Sequence, residues 1–137
     1  IYSYFPITNF SVIKFKTNEQ LNTFKFATEW NFGDPVVSFG HPSGVDKFIS
    51  YGKIDDYSRV YYSNDKTNRV YEYKAIRTNV ESYPGSSGSP LFDIDLNIIG
   101  MVSAGDKNAS YDKRNSTYSF STSIANIMPI LIKQGLA

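Results

Sequence analysis

Tyr83-Pro84-Gly85-Ser86-Ser87-Gly88-Ser89-Pro90, followed by the apolar pair Leu91-Phe92, is the segment from which this sequence is best interpreted. It places a serine between glycines and closes with proline. Such a loop can hold a hydroxyl exposed while nearby backbone N–H groups point into one small concavity, which is the geometry that a nucleophilic serine needs. Gly, Ser and Pro are also ordinary turn residues, and composition alone favours a simple turn between strands.

The composition predicts one folded, all-β domain. The chain has 137 residues, of which 41% are hydrophobic and 16% aromatic, with 11 Tyr, 10 Phe and a single Trp. A chain of this length buries about two thirds of its unfolded surface. Flat aromatic side chains pack well on pleated surfaces, so their abundance favours sheets over helices.

Charge and residue types exclude several function classes. The net charge is +1 with acids and bases interspersed, so no nucleic-acid partner is expected. Without cysteine, and with one histidine, there is no disulfide, thiolate metal site or cysteine nucleophile, and neither a metal nor a cofactor is predicted. No apolar run approaches the roughly 18 residues of a membrane span, and no signal peptide is visible.

The order Gly-x-Ser-Gly-x-Pro resembles the nucleophile loop of the trypsin-like, chymotrypsin-fold serine proteases. The resemblance implies that Ser87 is the nucleophile and that the N–H groups of Gly85 and Ser87 form the oxyanion hole. It also implies a six-stranded antiparallel Greek-key β-barrel with a C-terminal helix. The competing Gly-x-Ser-x-Gly elbow of α/β-hydrolases requires a following helix, whereas Pro90 and a predicted hairpin follow here.

Ile7 to Lys16 is predicted as a strand with apolar residues on both faces, as in a barrel wall. In the trypsin-like family a similar strand begins with the catalytic aspartate. That position holds Asn9 here. An amide keeps the geometry of the triad but not its charge, and the Asp-to-Asn change costs about 10⁴-fold in turnover, or ~5 kcal/mol. Natural loss of activity, engineered inactivation and a carboxylate elsewhere remain alternatives.

Gly33-Asp34-Pro35 ends an aperiodic polar stretch that is interpreted as a connector between two barrels. Val36 to Phe39 is then the first strand of the second barrel, ending in Gly40-His41-Pro42-Ser43-Gly44. This turn resembles the bacterial branch of the family, including glutamyl endopeptidases and HtrA-type proteases. Because His41 is the only histidine, it is the histidine of this sequence that is a candidate for the general base. The favoured interpretation is a turn residue, since the family's base precedes the aspartate on the other barrel.

Phe48 to Ile54 and Asn68 to Val80 are predicted strands, joined through a polar loop at Ser63-Asn64-Asp65-Lys66. The second strand leads into the nucleophile loop. The resemblance implies that this approach segment, including Glu81 and Ser82, forms a wall and the floor of the substrate side-chain pocket. Glu81 lies where trypsin-type enzymes carry an acid that selects Lys or Arg. A solvated glutamate is the favoured alternative.

Pro90 to Ile94 and Ile98 to Ala104 are predicted to form a hairpin. Its second arm resembles the strand along which a protease substrate adds as a further β-strand, so the substrate groove would run from Val102 to Gly105. The backbones of Ser103 and Gly105 would bind substrate, and Ala104, in place of a bulkier residue, would open the site. Glutamyl endopeptidases carry histidine at Val102, which argues against glutamate specificity.

Thr117 to Ser123 is predicted as the last strand, which in this family lines the other side of the specificity pocket. A helix with Ser123 as N-cap is expected to follow and to be irregular because of Pro129. Its stripe of Ile124, Ile127, Met128, Leu131 and Ile132 is predicted to pack against the barrel. The domain prediction is residues 1–17 as the last strand of an N-terminal barrel, 18–34 as the connector, 35–123 as the C-terminal barrel and 124–137 as the helix.

The resemblance implies the C-terminal part of a serine endopeptidase whose base histidine lies outside this chain. Its partners would be a protein or peptide substrate and an N-terminal barrel segment, upstream or on another chain. The location would be extracellular or at the cell surface. The alternatives are a noncatalytic pseudoprotease or binding module that keeps the substrate groove, and a structural module of a surface protein.

Overall fold

The structure is a computed structural model that describes residues 3–5, 10–64 and 69–136; the side chains at 3–5, 58–64 and 69–73 are outside the description. The described residues form eight strands and one α-helix in succession. The strands are β1 Ser3–Phe5, β2 Phe10–Val12, β3 Pro35–Gly40, β4 Phe48–Asn64, β5 Arg69–Thr78, β6 Pro90–Phe92, β7 Ile98–Gly105 and β8 Ser119–Ser123, and the helix α1 is Ile124–Lys133.

Strands β3 to β8 form a closed antiparallel barrel in the order β3-β4-β5-β8-β7-β6, with β6 pairing back onto β3. The predicted all-β fold, a six-stranded barrel followed by a C-terminal helix, is confirmed. The chain leaves β5, passes through the segment 79–89 and enters β6 on the far side of β7 and β8. Because this segment bridges strands that are not neighbours, it lies across an end of the barrel, where a loop is accessible.

The barrel interior is filled by aliphatic side chains from five strands and the segment after β5. Alternation along each strand sends every second side chain inward, which is why residues distant in sequence meet there. Trp30 from the connector and Tyr57 pack against this cluster with their ring centroids 5.3 Å apart. The buried members are Val36, Ile54, Ile76, Val80, Leu91 and Ile99.

The helix α1 covers the outside of the barrel beside β7. Its N-cap is Ser123, whose hydroxyl accepts a hydrogen bond from the Ala125 N–H at 3.1 Å, as predicted. Ile124, Ile127 and Leu131 form a second buried cluster together with Phe10 of β2.

Two details of the helix prediction were wrong. The helix continues through Pro129, because that residue is exposed and the carbonyl left without a donor can be solvated. Ile132 is 59% exposed rather than part of the packed stripe.

Two strand predictions had an end that was wrong by more than two residues. The predicted strand from Ile7 to Lys16 is only Phe10–Val12 where the chain is described, because β2 pairs with the short β1 and has no partner strand beyond Val12. The strand predicted to end at Ile54 continues to Asn64. A register shift between Ile54 and Asp56 lets β4 stay paired with β5 beyond the point where the sequence turns polar.

Residues 13–34, which include the whole of the predicted connector, contain no helix or strand, only an isolated bridge from Phe26 to Ile98. The backbone of Ile98 holds this segment by accepting from the Ala27 N–H at 3.0 Å and donating to the Lys25 carbonyl at 2.8 Å. The connector therefore lies against the start of β7.

Candidate active site

The segment Tyr83–Pro90 consists of two successive tight turns. The Ser86 N–H donates to the Tyr83 carbonyl at 2.8 Å, and the Ser89 N–H donates to the Ser86 carbonyl at 3.0 Å. Gly85 and Gly88 occupy the third position of each turn with φ of 96° and 89°. Glycine is favoured at both positions because an L side chain rarely adopts positive φ, and Pro84 supplies the second position of the first turn.

The loop is anchored on both sides by neighbouring elements. The Pro84 carbonyl accepts from the Ser43 N–H at 2.7 Å, which ties the first turn to the short 3₁₀ turn Pro42–Gly44. The Gly88 N–H donates to the Val102 carbonyl of β7 at 2.7 Å. The buried Ser86 hydroxyl accepts from the Tyr83 N–H at 3.0 Å. These contacts preorganise the backbone around Ser87.

The same anchors orient two N–H groups. A peptide bond is planar and trans, so its N–H and C=O point in opposite directions. Since the carbonyls of Pro84 and Ser86 are engaged by Ser43 and Ser89, the N–H groups of Gly85 and Ser87 point away from those partners. Within the described chain neither N–H has a hydrogen-bond acceptor. Both donors are therefore available to an external anion or carbonyl oxygen.

Ser87 itself is exposed at the edge of a cavity of about 510 Å³. One wall of this cavity comes from β2 and the residue that follows it, and the opposite wall from the nucleophile loop and β7. The lining residues are Phe10, Ser11, Ile13, Ser87, Gly88, Met101, Val102 and Ser103.

His41 is not placed as a base for Ser87. Its Nδ1 accepts a hydrogen bond from the Lys47 N–H at 3.3 Å and lies 3.6 Å from a carboxylate oxygen of Asp46. No hydrogen bond joins His41 to Ser87 in the part of the chain that the structure describes. This geometry favours the turn interpretation of His41.

Asn9, at the position of the triad aspartate, lies outside the described residues. Its neighbours in sequence are described: Phe10 is buried against α1, while Ser11 and Ile13 line the cavity next to Ser87. The start of β2 is thus close to the predicted nucleophile, as the resemblance implied.

The Glu81 carboxylate accepts hydrogen bonds from the side chains of Arg114 and Tyr83. Arg114 donates two hydrogen bonds to its carboxylate, Nε to Oε1 at 2.8 Å and Nη2 to Oε2 at 2.7 Å, and the Tyr83 hydroxyl donates to Oε1 at 2.6 Å. The bond to Arg114 lowers the pKa of Glu81, partial burial opposes this, and the bond to Tyr83 contributes further lowering. Glu81, for which a solvated carboxylate was the favoured alternative, is therefore paired while its side chain stays 27% exposed.

Ser82 is buried and faces Gly105 at the end of β7. A Cβ built on Gly105 would lie 3.1 Å from Ser82 Oγ and 3.2 Å from Ser82 Cβ, so the two walls of the predicted side-chain pocket lie close together.

Strand β7 presents part of one edge. On one side it pairs with β8 as far as Gly105, with a register shift between Val102 and Ala104. On the other side its strand pairing with β6 ends at Met101 within the described residues. The edge at Ala104 and Gly105 can therefore accept an added strand, although the Val102 side chain is buried.

Three contributors to this region were missed from the sequence. Ser43 and Ser86 hold the loop, and Arg114 neutralises Glu81 across 33 residues of sequence. The Pro-Ser-Gly turn was a signal for Ser43. The sequence around a single arginine in a polar loop does not indicate which acidic residue it will pair with.

The described residues show neither a metal-binding cluster nor a helix that could span a membrane. Among the described residues no group of three or more His, Cys, Asp or Glu side chains is placed to hold a metal ion. The one described α-helix is too short to cross a bilayer.

Comparisons with known proteins identify the family. The model of the trypsin-like peptidase domain matches residues 3–101, and the chain therefore belongs to the trypsin-like peptidase family. Two curated relatives are probable periplasmic serine endoproteases, described as DegP-like, from Chlamydia muridarum and Chlamydia pneumoniae. They are 30% and 31% identical over 100 residues, or 72% of this chain. The chain spans about a fifth of their length, 19% and 20%.

Solved structures agree on the fold. The active form of the Rv3671c protease of M. tuberculosis superposes with a TM-score of 0.64 at 21% identity, over 80% of this chain and 47% of that one. Its inactive form also gives 0.64, at 20% identity, over 80% of this chain and 54% of the other.

Proposed function

We propose that this chain is the C-terminal barrel of a serine endopeptidase in which Ser87 attacks the scissile carbonyl. The observation that carries the proposal is the loop around Ser87. It combines an exposed hydroxyl with the N–H groups of Gly85 and Ser87, neither of which has an acceptor among the described residues. Donors held in this way act on developing negative charge without reorganisation.

The reaction would proceed through an acyl-enzyme. As the Ser87 oxygen bonds to the carbonyl carbon, its proton passes to a general base and the carbonyl oxygen becomes an oxyanion held by Gly85 and Ser87. The protonated base then gives this proton to the leaving amine as the C–N bond breaks. Water, deprotonated by the same base, hydrolyses the ester and regenerates Ser87.

The base must come from outside this chain, since its only histidine is bound within the turn at His41. The cavity of about 510 Å³ beside Ser87 is the space into which an imidazole from an N-terminal barrel would enter. Asn9 would take the role of the triad aspartate toward that imidazole, as the resemblance implies. It would orient the ring but would not stabilise its charge.

The N-terminal barrel would also cover an apolar surface. A second groove, of about 490 Å³, runs from β2 to α1 and is lined mainly by apolar side chains. Ile13, which lines this groove, and Phe15, two residues further along the chain, are each 66% exposed. The 100 matched residues make up only about a fifth of each relative, so the relatives contain sequence enough for a further barrel. Because those relatives are described as periplasmic, we place the protein outside the cytoplasm, in an envelope or extracellular compartment.

The test is covalent labelling of Ser87 with a fluorophosphonate probe, located by peptide mass spectrometry. The chain would be compared alone and joined to its N-terminal barrel segment. We expect labelling only in the longer form, its loss in Ser87→Ala, and its retention in Ser89→Ala, which changes a serine two positions away. A form with Asn9→Asp should label faster.

Absence of labelling in folded protein, with the barrel segment present and with Asn9→Asp, would contradict the peptidase proposal. Binding of extended peptides along Ser103 to Gly105 would then support the groove-binding alternative instead.

A further inference from the structure

Glu81 and Arg114 form the most completely hydrogen-bonded ion pair next to the nucleophile loop. The guanidinium binds both carboxylate oxygens, and the Tyr83 hydroxyl takes up further acceptor capacity on Oε1. The Glu81 N–H is also engaged, by the buried Ser50 hydroxyl at 2.7 Å. A fork-to-fork pair of this kind is how a carboxylate would bind the arginine side chain of a substrate. Here the chain supplies that arginine itself.

Aromatic rings hold the guanidinium in place. Its carbon lies 5.0 Å from the ring centroid of Phe48 and 5.4 Å from that of Tyr111. Phe48, Tyr83 and Tyr111 pack edge to face, with centroid separations between 5.7 and 6.3 Å. Arg114 is therefore confined laterally as well as bound at its tip, although its side chain is half exposed.

The loop between β7 and β8 is shaped to deliver this arginine. Arg114 adopts a positive φ of 49°, and its N–H bonds to the Ser110 carbonyl at 3.0 Å. Asp106 closes the loop by accepting from the Thr117 hydroxyl at 2.8 Å. The Ser116 hydroxyl accepts from the Ser82 N–H at 2.9 Å, which joins the loop to the residue after Glu81. The pairing is thus built into the backbone and is not a chance contact of a long side chain.

We infer that Arg114 is a specificity-determining residue: it occupies the Glu81 carboxylate in place of a substrate cation, so that the side-chain pocket excludes Lys and Arg. This inference rests on the proposed peptidase function for its biological meaning. A cation entering the pocket would have to displace a bidentate, ring-stacked guanidinium, and it would meet positive charge there. The close approach of Gly105 to Ser82 further limits the entry of a long side chain.

Benzamidine is a suitable probe, because its amidinium matches a carboxylate bidentately and its ring fits between aromatic side chains. Binding to the chain as it stands requires neither Ser87 reactivity nor a general base. We expect no saturable binding to the unsubstituted chain by ligand-detected NMR or calorimetry. Arg114→Met keeps an apolar stem against Phe48 and Tyr111, removes the charge, and should lower the dissociation constant at least tenfold. Glu81→Gln added to Arg114→Met should abolish the gain.

Arg77 provides the matched control. It pairs with Asp55 at 2.7 Å and with Asp56 at 3.8 Å, and its side chain is 38% exposed. Arg77→Met therefore also frees a carboxylate from a guanidinium, but that carboxylate lies in β4 and not in the segment that leads to Ser87, so the substitution should not create benzamidine binding. Equal binding by Arg77→Met and Arg114→Met would overturn the assignment.

Two further results would overturn it. One is benzamidine binding to the unsubstituted chain that is lost in Glu81→Gln, which would mean that Arg114 does not occupy the carboxylate. The other is a folded Arg114→Met or Arg114→Gln variant that gains no binding.

In a cleavage-competent form, Arg114→Met should raise cleavage after Lys or Arg at least tenfold relative to cleavage after uncharged residues. Failure of Ser87 labelling would leave the benzamidine result intact, so the two proposals fail separately.

Discussion

At the scale of single residues, the nucleophile loop contains two glycines, Gly85 and Gly88, that both have positive φ but differ in the atoms around them. A Cβ on Gly85 would lie 2.9 Å from the Ser43 nitrogen and 3.3 Å from the His41 carbonyl oxygen. A Cβ on Gly88 would meet no atom within 4 Å. The space next to Gly85 is therefore closed by the Pro42–Gly44 turn, whereas that next to Gly88 is open.

Substituting each glycine by alanine separates backbone strain from steric overlap. Gly88→Ala should cost about 1–2 kcal/mol of stability from the positive φ alone. Gly85→Ala should cost about 1–3 kcal/mol more, because the turn against which it packs must move. Urea denaturation of both variants measures the difference. Equal losses would mean that the Pro42–Gly44 turn yields freely.

The Glu81–Arg114 pair predicts a pH dependence of stability. Because the pKa of Glu81 is lowered in the folded state, ionised Glu81 stabilises the fold above its ordinary value of 4.5. This contribution is lost as the pH falls through the folded-state pKa. The free energy of unfolding of Glu81→Gln should therefore lie below that of the unsubstituted chain at pH 7 and approach it in acid.

Chemical denaturation between pH 7 and pH 2 tests this expectation. In an Arg114→Met background the effect of Glu81→Gln should vary much less with pH, since the main cause of the lowered pKa is gone. The same pH dependence in both backgrounds would assign it to another group.

At the scale of elements, the start of α1 after β8 is capped by one hydroxyl, that of Ser123, which accepts a hydrogen bond from the Ala125 N–H. Ser123 Oγ caps the helix, whereas Ser121 Oγ, two residues earlier in the same strand, is buried without a partner among the described residues. Both serines are fully buried. The two positions therefore offer the same chemical change with and without a lost hydrogen bond.

Ser123→Ala should lower stability by about 1 kcal/mol, because the Ala125 N–H loses its acceptor at the helix start. Ser121→Ala should be close to neutral or slightly stabilising, since it removes a buried hydroxyl that makes no bond. Thermal or urea unfolding of the two variants gives the comparison. A larger loss at Ser121 would contradict the capping role.

At the scale of the whole molecule, apolar side chains remain exposed around the cavity beside Ser87. Ile13 lines both that cavity and the apolar groove between β2 and α1. Ile94, which is 74% exposed against 66% for Ile13, lies in the turn between β6 and β7 and lines neither. Exposure alone therefore does not distinguish these two isoleucines, but location does.

If the groove is the seat of an N-terminal barrel, the chain alone should self-associate through it. Ile13→Lys should reduce this association in sedimentation experiments, and it should also weaken capture of a separately produced N-terminal barrel segment. Ile94→Lys is the control and should change neither. Both variants should keep their stability within about 0.5 kcal/mol, as is usual for surface substitutions. Equal effects of the two substitutions would rule out the groove as the docking site.

The sequence alone determined the features that depend on local backbone chemistry. Pro84-Gly85 and Ser87-Gly88 specify tight turns because of the φ values that proline and glycine adopt. Alternation predicted β8, and a serine before a helical stripe predicted the cap at Ser123. These features involve residues within a few positions of one another.

Only the tertiary structure decided which distant side chains meet. Closure of the barrel brings Arg114 onto Glu81 and Gly105 onto Ser82, and pairing with β5 extends β4 to Asn64. No local propensity encodes these contacts, because they depend on strand register and on the path of loops between strands. The candidate nucleophile was therefore predictable from eight consecutive residues, whereas the state of the pocket beside it was not.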